Sequence, residues 1–393
     1  MRENYEWLVG TDVDELIRLR FSRLKSIELS RKLIKDKCEN KNIHLDNKII
    51  DEKAKGLSST IESALNYWDI SEKSLNAKIL SRYYAFLQLT IAEQVASVRN
   101  NNDLKEAQKH TEQGHGLSTL NMHSENDFIN NFYCYFRQDG HFYYYMKQSG
   151  YNDGNIFIKN KIKTTENTKD YYIVTLADIF RRIPELQKII EECIGMCPLV
   201  LNFGLDSFGE HERKEKRREE YSKRTGNFEF EAPQEDNEII LTNVSIYPTS
   251  KNMTIEYIEK LNSPFKNFSV RYDKFSNTEH IVCDFYHKNE GLWWNSIKHY
   301  KSDYCPTSYI VPLFDTIQDP IIINYILMYS LSIIVRYLPD IWYEIKLGKY
   351  NNIGSLIDFY ISIFDHIIPI QMLERITEKA IHISTPGSLD API

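Results

Sequence analysis

The sequence predicts an α+β fold, with an N-terminal helical bundle, a β-rich middle with antiparallel strands, and C-terminal helices completing the core. Three observations predict it. Apolar residues recur at helical spacing through the first hundred positions, and they do so again from residue 319 onward. Between them, PLVLNFGL, NEIILTNVSIYP, NFSVRY and EHIVCDFY (positions 198–286) read as strands. Helices and strands are segregated along the chain, which argues against alternating βαβ units. The 393 residues suffice for two or three domains with real cores. Composition divides them into a helical region (1–125), a β-rich α+β region (126–318) and a C-terminal helical region (319–393).

Taken in order, Asp12 or Asp14 can cap a first helix carrying Leu16, Ile17, Leu19, Phe21, Leu24 and Ile27. After a polar break at 39–46, a second helix is expected from Lys48 to Trp68, and Ser71 can cap a third. That third helix carries Leu75, Ile79, Tyr83, Leu87, Ile91 and Val95, an i, i+4 ladder suited to the seam of a bundle. From residue 127, FINNFYCYF, the turn signal Asp139-Gly140 and HFYYYM read as a hairpin. TLADIFRRIPELQKIIEE (175–192) returns to helix, with Thr175 as cap and Pro184 opening a further turn. The stretch at 207–238 is charged and poor in apolar side chains, so it is expected to be an exposed insertion or mobile loop. Closing helices are expected at 320–337, 340–347, 352–367 and 369–382. No internal repeat is visible.

The most apolar stretch, DPIIINYILMYSLSIIVRYLPDIW (319–342), resembles a membrane span only superficially. A spanning helix needs about twenty apolar residues. This run is bounded by Pro320 and Arg336 and interrupted by Asn324, Ser330 and Ser332. On a helical wheel Asn324, Tyr325, Tyr329, Ser332 and Arg336 share an arc of roughly 140°, with isoleucines and leucines opposite. A helix buried in a soluble protein is expected. Pro320 suits its first turn, and Pro339 breaks it at Leu338.

A formal charge of −7 and a pI near 5.9 exclude a protein whose whole surface seeks nucleic acid, though not a local basic groove. The six cysteines are scattered, as reduced thiols are, and the N-terminus lacks a signal-peptide pattern, so a cytoplasmic location away from membranes is expected. The 26 tyrosines accompany many Ile, Asn and Lys, which reads as AT-rich coding rather than a base-stacking surface.

Among motifs, GHGLS (114–118) stands out. Gly114 and Gly116 let the backbone present His115 where bulkier residues could not follow, as a general base or phosphate ligand. Alternatively the glycines cap a helix and His115 bonds a carbonyl. Arg336 ends the apolar helix, where a cation complements the dipole, pairs with a carboxylate or grips a phosphate, and Trp342 can pack over it. Arg213, Lys214, Lys216, Arg217 and Arg218 form a candidate partner-binding cluster, but the interleaved acids favour a solvated face. One Arg–His pair, Arg375 and His382, has the spacing used by metal-independent HEPN-type ribonucleases, but chance alone supplies about one such pair. His280, Cys283, His287, His299 and Cys305 cluster without paired zinc spacing, so no metal site is expected. No Walker, GxGxxG, GxSxG or HExxH pattern occurs, and no cofactor is expected.

ILSRYYAFLQLTIAEQVA (79–96), GHGLS (114–118), TLADIFRRIPELQ (175–187) and LMYSLSIIVRYLPDIW (327–342) together resemble the YaaC-like family of bacterial proteins along nearly the whole chain. Where the family pattern often places His or Asn after the Arg-Tyr pair, this chain has Leu338. The resemblance implies a cytosolic bacterial protein, with some relatives in stress or phage-defence loci and no established catalytic residues. The functional expectation is an interaction or sensor subunit with a protein partner, nucleic acid being the second candidate. The alternative is a HEPN-like endoribonuclease acting on RNA, with His115 as acid/base and Arg336 stabilising phosphate charge.

Overall fold

A computed structural model of the chain describes residues 5–69, 74–121, 127–162, 172–228, 238–273 and 278–387. Among the described residues helix makes up 55% and strand 20%, with helices at both ends and mixed sheets between, so the fold is α+β. The chain separates into two compact units, one formed by residues 180–320 and the other by the segments on either side.

The first unit opens with β1 (Tyr5–Val9) and α1 (Val13–Leu24), whose N-cap Asp12 accepts the Glu15 amide at 3.0 Å. Ile27 does not close that helix as expected: Ser26 caps a new one, α2 (Ile27–Lys41), because the chain turns at Lys25. Next come α3 (Asn47–Trp68), capped by Asp46, and α4 (Leu75–Ala96), capped by Ser74. The expected cap Ser71 lies outside the described residues.

After α5 (Leu104–Glu112), β2 (Leu117–Asn121), α6 (Phe128–Asn131) and β3 (Phe132–Arg137) follow. The expected hairpin at Asp139-Gly140 is absent, and HFYYYM lies in a helix, α7 (Gly140–Gln148). Its first amides find acceptors in another loop instead of in a turn, so tertiary contact overrides a local signal. β3 is flanked by β2, β4 (Phe157–Ile158) and β5 (Ile173–Thr175) in a four-stranded sheet. α8 (Leu176–Phe180) starts at Thr175, whose hydroxyl accepts the Asp178 amide at 3.0 Å.

The 180–320 unit replaces the expected second half of a helix with short pieces, a 3-10 turn at Pro184–Leu186 and α9 (Ile190–Ile194). β6 (Val200–Leu205), α10 (Ser207–Thr225), β7 (Ile239–Tyr247), α11 (Ile255–Glu259), β8 (Phe265–Asp273), β9 (Thr278–Lys288), β10 (Tyr300–Ser302) and β11 (Cys305–Ile310) complete it. The six strands run β10-β11-β6-β7-β9-β8, every pair antiparallel. Leu201, Phe203, Val244, Ile246 and Phe285 fill one face together with Ile258 of α11.

α10 corrects the expected mobile loop. Asp206 and Gly226 cap it, and Arg213–Glu210, Arg218–Glu215 and Lys223–Glu219 pairs at i, i+3 or i, i+4 support a helix that buries only Gly209. The candidate cations do not make one surface. Arg213 and Arg218 are paired within the helix, Lys214 and Lys216 are exposed, and the five span roughly 200° of its circumference. Residues 229–237 of the expected insertion lie outside the described residues.

The chain returns to the first unit through α12 (Pro320–Tyr337), α13 (Pro339–Leu347), α14 (Asn351–Thr377) and β12 (Ala380–Ser384). α14 runs unbroken through Pro369, and the expected helical end at 382 is a strand that pairs in parallel with β1. Glu378, with φ at +54°, stops the helix and frees the backbone for that pairing. By length and composition α12 and α14 could each cross a membrane, but 72% of α12 and half of the α14 window are buried inside the protein.

One buried charge ties the helices of this unit together. The Lys53 side chain of α3 is fully enclosed, and its ammonium donates to the carbonyls of Val95 (3.2 Å), Ser97 (2.9 Å) and Asn102 (2.5 Å) at the end of α4 and beyond. Burial pulls its pKa down to about 8. Lys53→Met keeps the stem but leaves three acceptors without a donor. A loss of about 2–4 kcal/mol is expected, given the cost of unmade buried hydrogen bonds. Urea denaturation measures it, and an unchanged midpoint would mean that water replaces the ammonium.

Candidate functional site

The site is built where two backbones meet. Gly114, Gly116 and Gly140 all have positive φ, at +112°, +79° and +82°. The carbonyls of Gly114 and His115 accept the first amides of α7, from His141 (2.9 Å) and Phe142 (3.0 Å), and the Gly116 carbonyl accepts the Arg137 amide (3.0 Å). A Cβ on Gly140 would lie 2.5 Å from the Gly114 oxygen and the Gly116 nitrogen, and one on Gly116 would lie 2.7 Å from the Phe142 nitrogen. The GHG loop therefore does cap a helix, but through its carbonyls and at the start of α7, which follows later in the chain.

This anchoring aims His115 at α4. Its Nδ1 and the Tyr83 hydroxyl are 2.9 Å apart, so the imidazole bonds a side chain and not the backbone carbonyl that was one expectation. Nε2 is left without a partner among the described residues, on a ring that is only half-buried. Burial first, and the Arg336 charge second, hold His115 below the ordinary imidazole value, so it is neutral near pH 7. Burial likewise keeps the Tyr83 hydroxyl protonated.

Arg336 reaches the same tyrosine from α12. Its guanidinium carbon lies 5.9 Å from the Tyr83 ring centre and 5.2 Å from that of Tyr337. Trp342, expected to cover it, is instead buried on α13. Nε and Nη2 donate to the carbonyl and hydroxyl of Ser332, at 3.0 and 3.1 Å, and no carboxylate pairs with Arg336 among the described residues. One edge of the fork is thus occupied, while the edge formed by Nη1 and Nη2 remains available to an anion. Of the polar arc expected on α12, Tyr325, Tyr329 and Arg336 reach this cluster, while Asn324 accepts from Tyr360 of α14. Tyr329 donates to the Leu117 carbonyl at 2.9 Å and its ring lies 5.7 Å from that of His115. Beside them a groove of about 300 Å³ is lined by Ser118 and Thr119 of β2, Lys161, and Tyr329, Ile333 and Tyr337 of α12.

Of the sequence candidates, His115, Arg336, Gly114 and Gly116 come together. The cations of α10 belong to the other unit. Arg375 and His382 do separate structural work: Arg375 pairs with Glu93 at 2.9 Å, and His382 stacks on Trp7 with ring centres 5.1 Å apart. His287 is held by Thr242 and the Lys288 carbonyl, and no group of three metal-type ligands gathers among the described residues. Sequence reading passed over Tyr83, which sits in a helical ladder as core aromatics do. It also passed over His141, almost wholly buried beneath the loop. Thr90 gives its proton to the Leu87 carbonyl (2.8 Å), so His141 Nε2–H must donate to Thr90 (2.9 Å). Burial takes His141 down to about 3, so it stays neutral.

The sequence matches the family model described as YaaC-like protein over residues 22–376, from within α1 almost to the end of α14. No curated protein and no solved structure matches the chain.

Two outcomes follow from this geometry. Gly140→Ala should lower the thermal midpoint far more than Gly114→Ala, because the first meets backbone atoms and the second only an unfavourable φ costing about 1–3 kcal/mol. Equal shifts would mean that the loop and α7 are not locked. In addition, Arg336→Gln should raise the His115 pKa measured by NMR titration, since it removes a neighbouring cation. An unmoved value would place Arg336 out of electrostatic reach.

Proposed function

This chain belongs to the YaaC-like family, and on that premise we propose that it is a cytosolic sensor or interaction protein recognising a phosphate-bearing partner through Arg336 and His115. The observation that carries the reading is a half-buried guanidinium with no carboxylate partner among the described residues, held beside a neutral imidazole whose Nε2 is open. Arginine suits phosphate because its planar fork matches two oxygens at once. Rigid placement of that fork by Ser332 and Tyr83 lowers the entropy lost on binding. Lys161 in the adjoining groove adds a second positive charge for a partner larger than one phosphate. Single-stranded nucleic acid fits these features better than a protein surface does, since the groove also offers Tyr337, 64% exposed, for a base to stack on.

A second reading, RNA cleavage without metal, is favoured by the convergence of His115 and Arg336 on Tyr83. A neutral imidazole can take a proton from a ribose hydroxyl while the guanidinium stabilises charge on the phosphate.

One experiment addresses both. Purified protein is mixed with a fluorescent single-stranded RNA in EDTA, anisotropy reporting binding and a denaturing gel reporting cleavage. The first reading expects binding without cutting, weakened about tenfold or more by Arg336→Gln, in line with the loss of a charged hydrogen bond. Cutting that disappears in His115→Ala would establish the second. RNA neither bound nor cut would overturn both.

A further inference from the structure

A separate cavity of about 470 Å³ lies among the helices of the first unit, within the size range of small-molecule pockets. Its floor is apolar, formed by Ile17 and Phe21 of α1, Leu65 and Trp68 of α3, and Leu89 of α4. Its two polar ends differ in sign. At one, a single carboxylate, Asp365 of α14, faces two cations: Lys78 at 2.9 Å and Arg82 at 2.7 Å. Arg82 is more than nine-tenths buried, fixed also by the Trp68 carbonyl at 2.7 Å and lying over the Trp68 ring. At the other end, Asp12, Asp14 and Glu15 from the start of α1 are met by Arg18, which is spent on Glu15 at 2.9 Å, and by His366 on Asp14.

The Asp365 group therefore carries one cation in excess and the α1 group carries carboxylates in excess, and both line one cavity together with the rings of Phe21 and Trp68. Pro369 also lines the cavity and lacks the amide that would bond the Asp365 carbonyl within α14. Matched against these features, a simple anion would meet the carboxylates, a simple cation would meet Lys78 and Arg82, and a neutral apolar molecule would leave both ends unanswered.

We infer that this cavity binds a small zwitterion with an apolar body, of the dimensions of a free amino acid or dipeptide with apolar side chains. Its carboxylate sits at Lys78, its ammonium at Asp12 and Asp14, and its side chains over Trp68 and Phe21. The site is independent of the Arg336 cluster and does not rest on the phosphate reading.

Calorimetric titration of the full chain with the dipeptide Leu-Phe tests it, alongside N-acetyl-Leu-Phe and Leu-Phe amide, each lacking one charge. Leu-Phe is expected to bind, each blocked form at least tenfold more weakly. Lys78→Met should lose the preference for a free carboxylate, and Asp14→Asn the preference for a free amine, with circular dichroism confirming that both variants fold. Equal binding of all three peptides, or no heat from Leu-Phe at millimolar concentration, would overturn the inference.

Discussion

The close approach of backbone at Gly116 to backbone at Gly140 is the contact on which the His115 cluster depends. Helix N-termini leave amides unsatisfied, and most chains answer with a side-chain cap. Here a loop from elsewhere supplies carbonyls, so β2, α7 and the loop are fixed in one operation. The imidazole between the two glycines inherits that precision. Its bond to Tyr83 then ties it to α4, and the guanidinium on α12 closes the cluster from a third direction.

Much of the fold was readable because its signals are local. Caps such as Asp12 and Thr175, the ladder of α4, and the strands of the 180–320 unit all declare themselves in neighbouring residues. The failures share a cause. Gly140 carries a turn signature whose partner lies more than twenty residues away, and β12 forms only because β1 offers it a parallel edge. α10 was misread because hydrophobic periodicity is a poor guide to a helix held by its own charge pairs. For the site, unusual residues such as a histidine between glycines stood out, whereas Tyr83 looked like ordinary core. Its role appears only when three distant segments are brought together.

Several buried polar groups recur through the molecule, and they are accommodated in different ways. Lys53 is met by carbonyls and Glu185 by the hydroxyls of Tyr300 and Ser302, whereas His141 stays neutral and donates to Thr90 through Nε2 alone. Burial raises the Glu185 pKa just as it lowers that of Lys53, which is the sign desolvation dictates for an acid and a base. Such groups penalise every alternative packing that would strand them.

Arg82 and Tyr83 are consecutive residues of α4, and one looks into the zwitterion cavity while the other holds His115. Neighbouring side chains on a helix diverge by about 100°, so a single rotation of α4 about its axis misaligns both at once. The helix acts as a shared axle with two spokes. Any shift of α4 that serves one pocket therefore displaces the side chain that the other depends on.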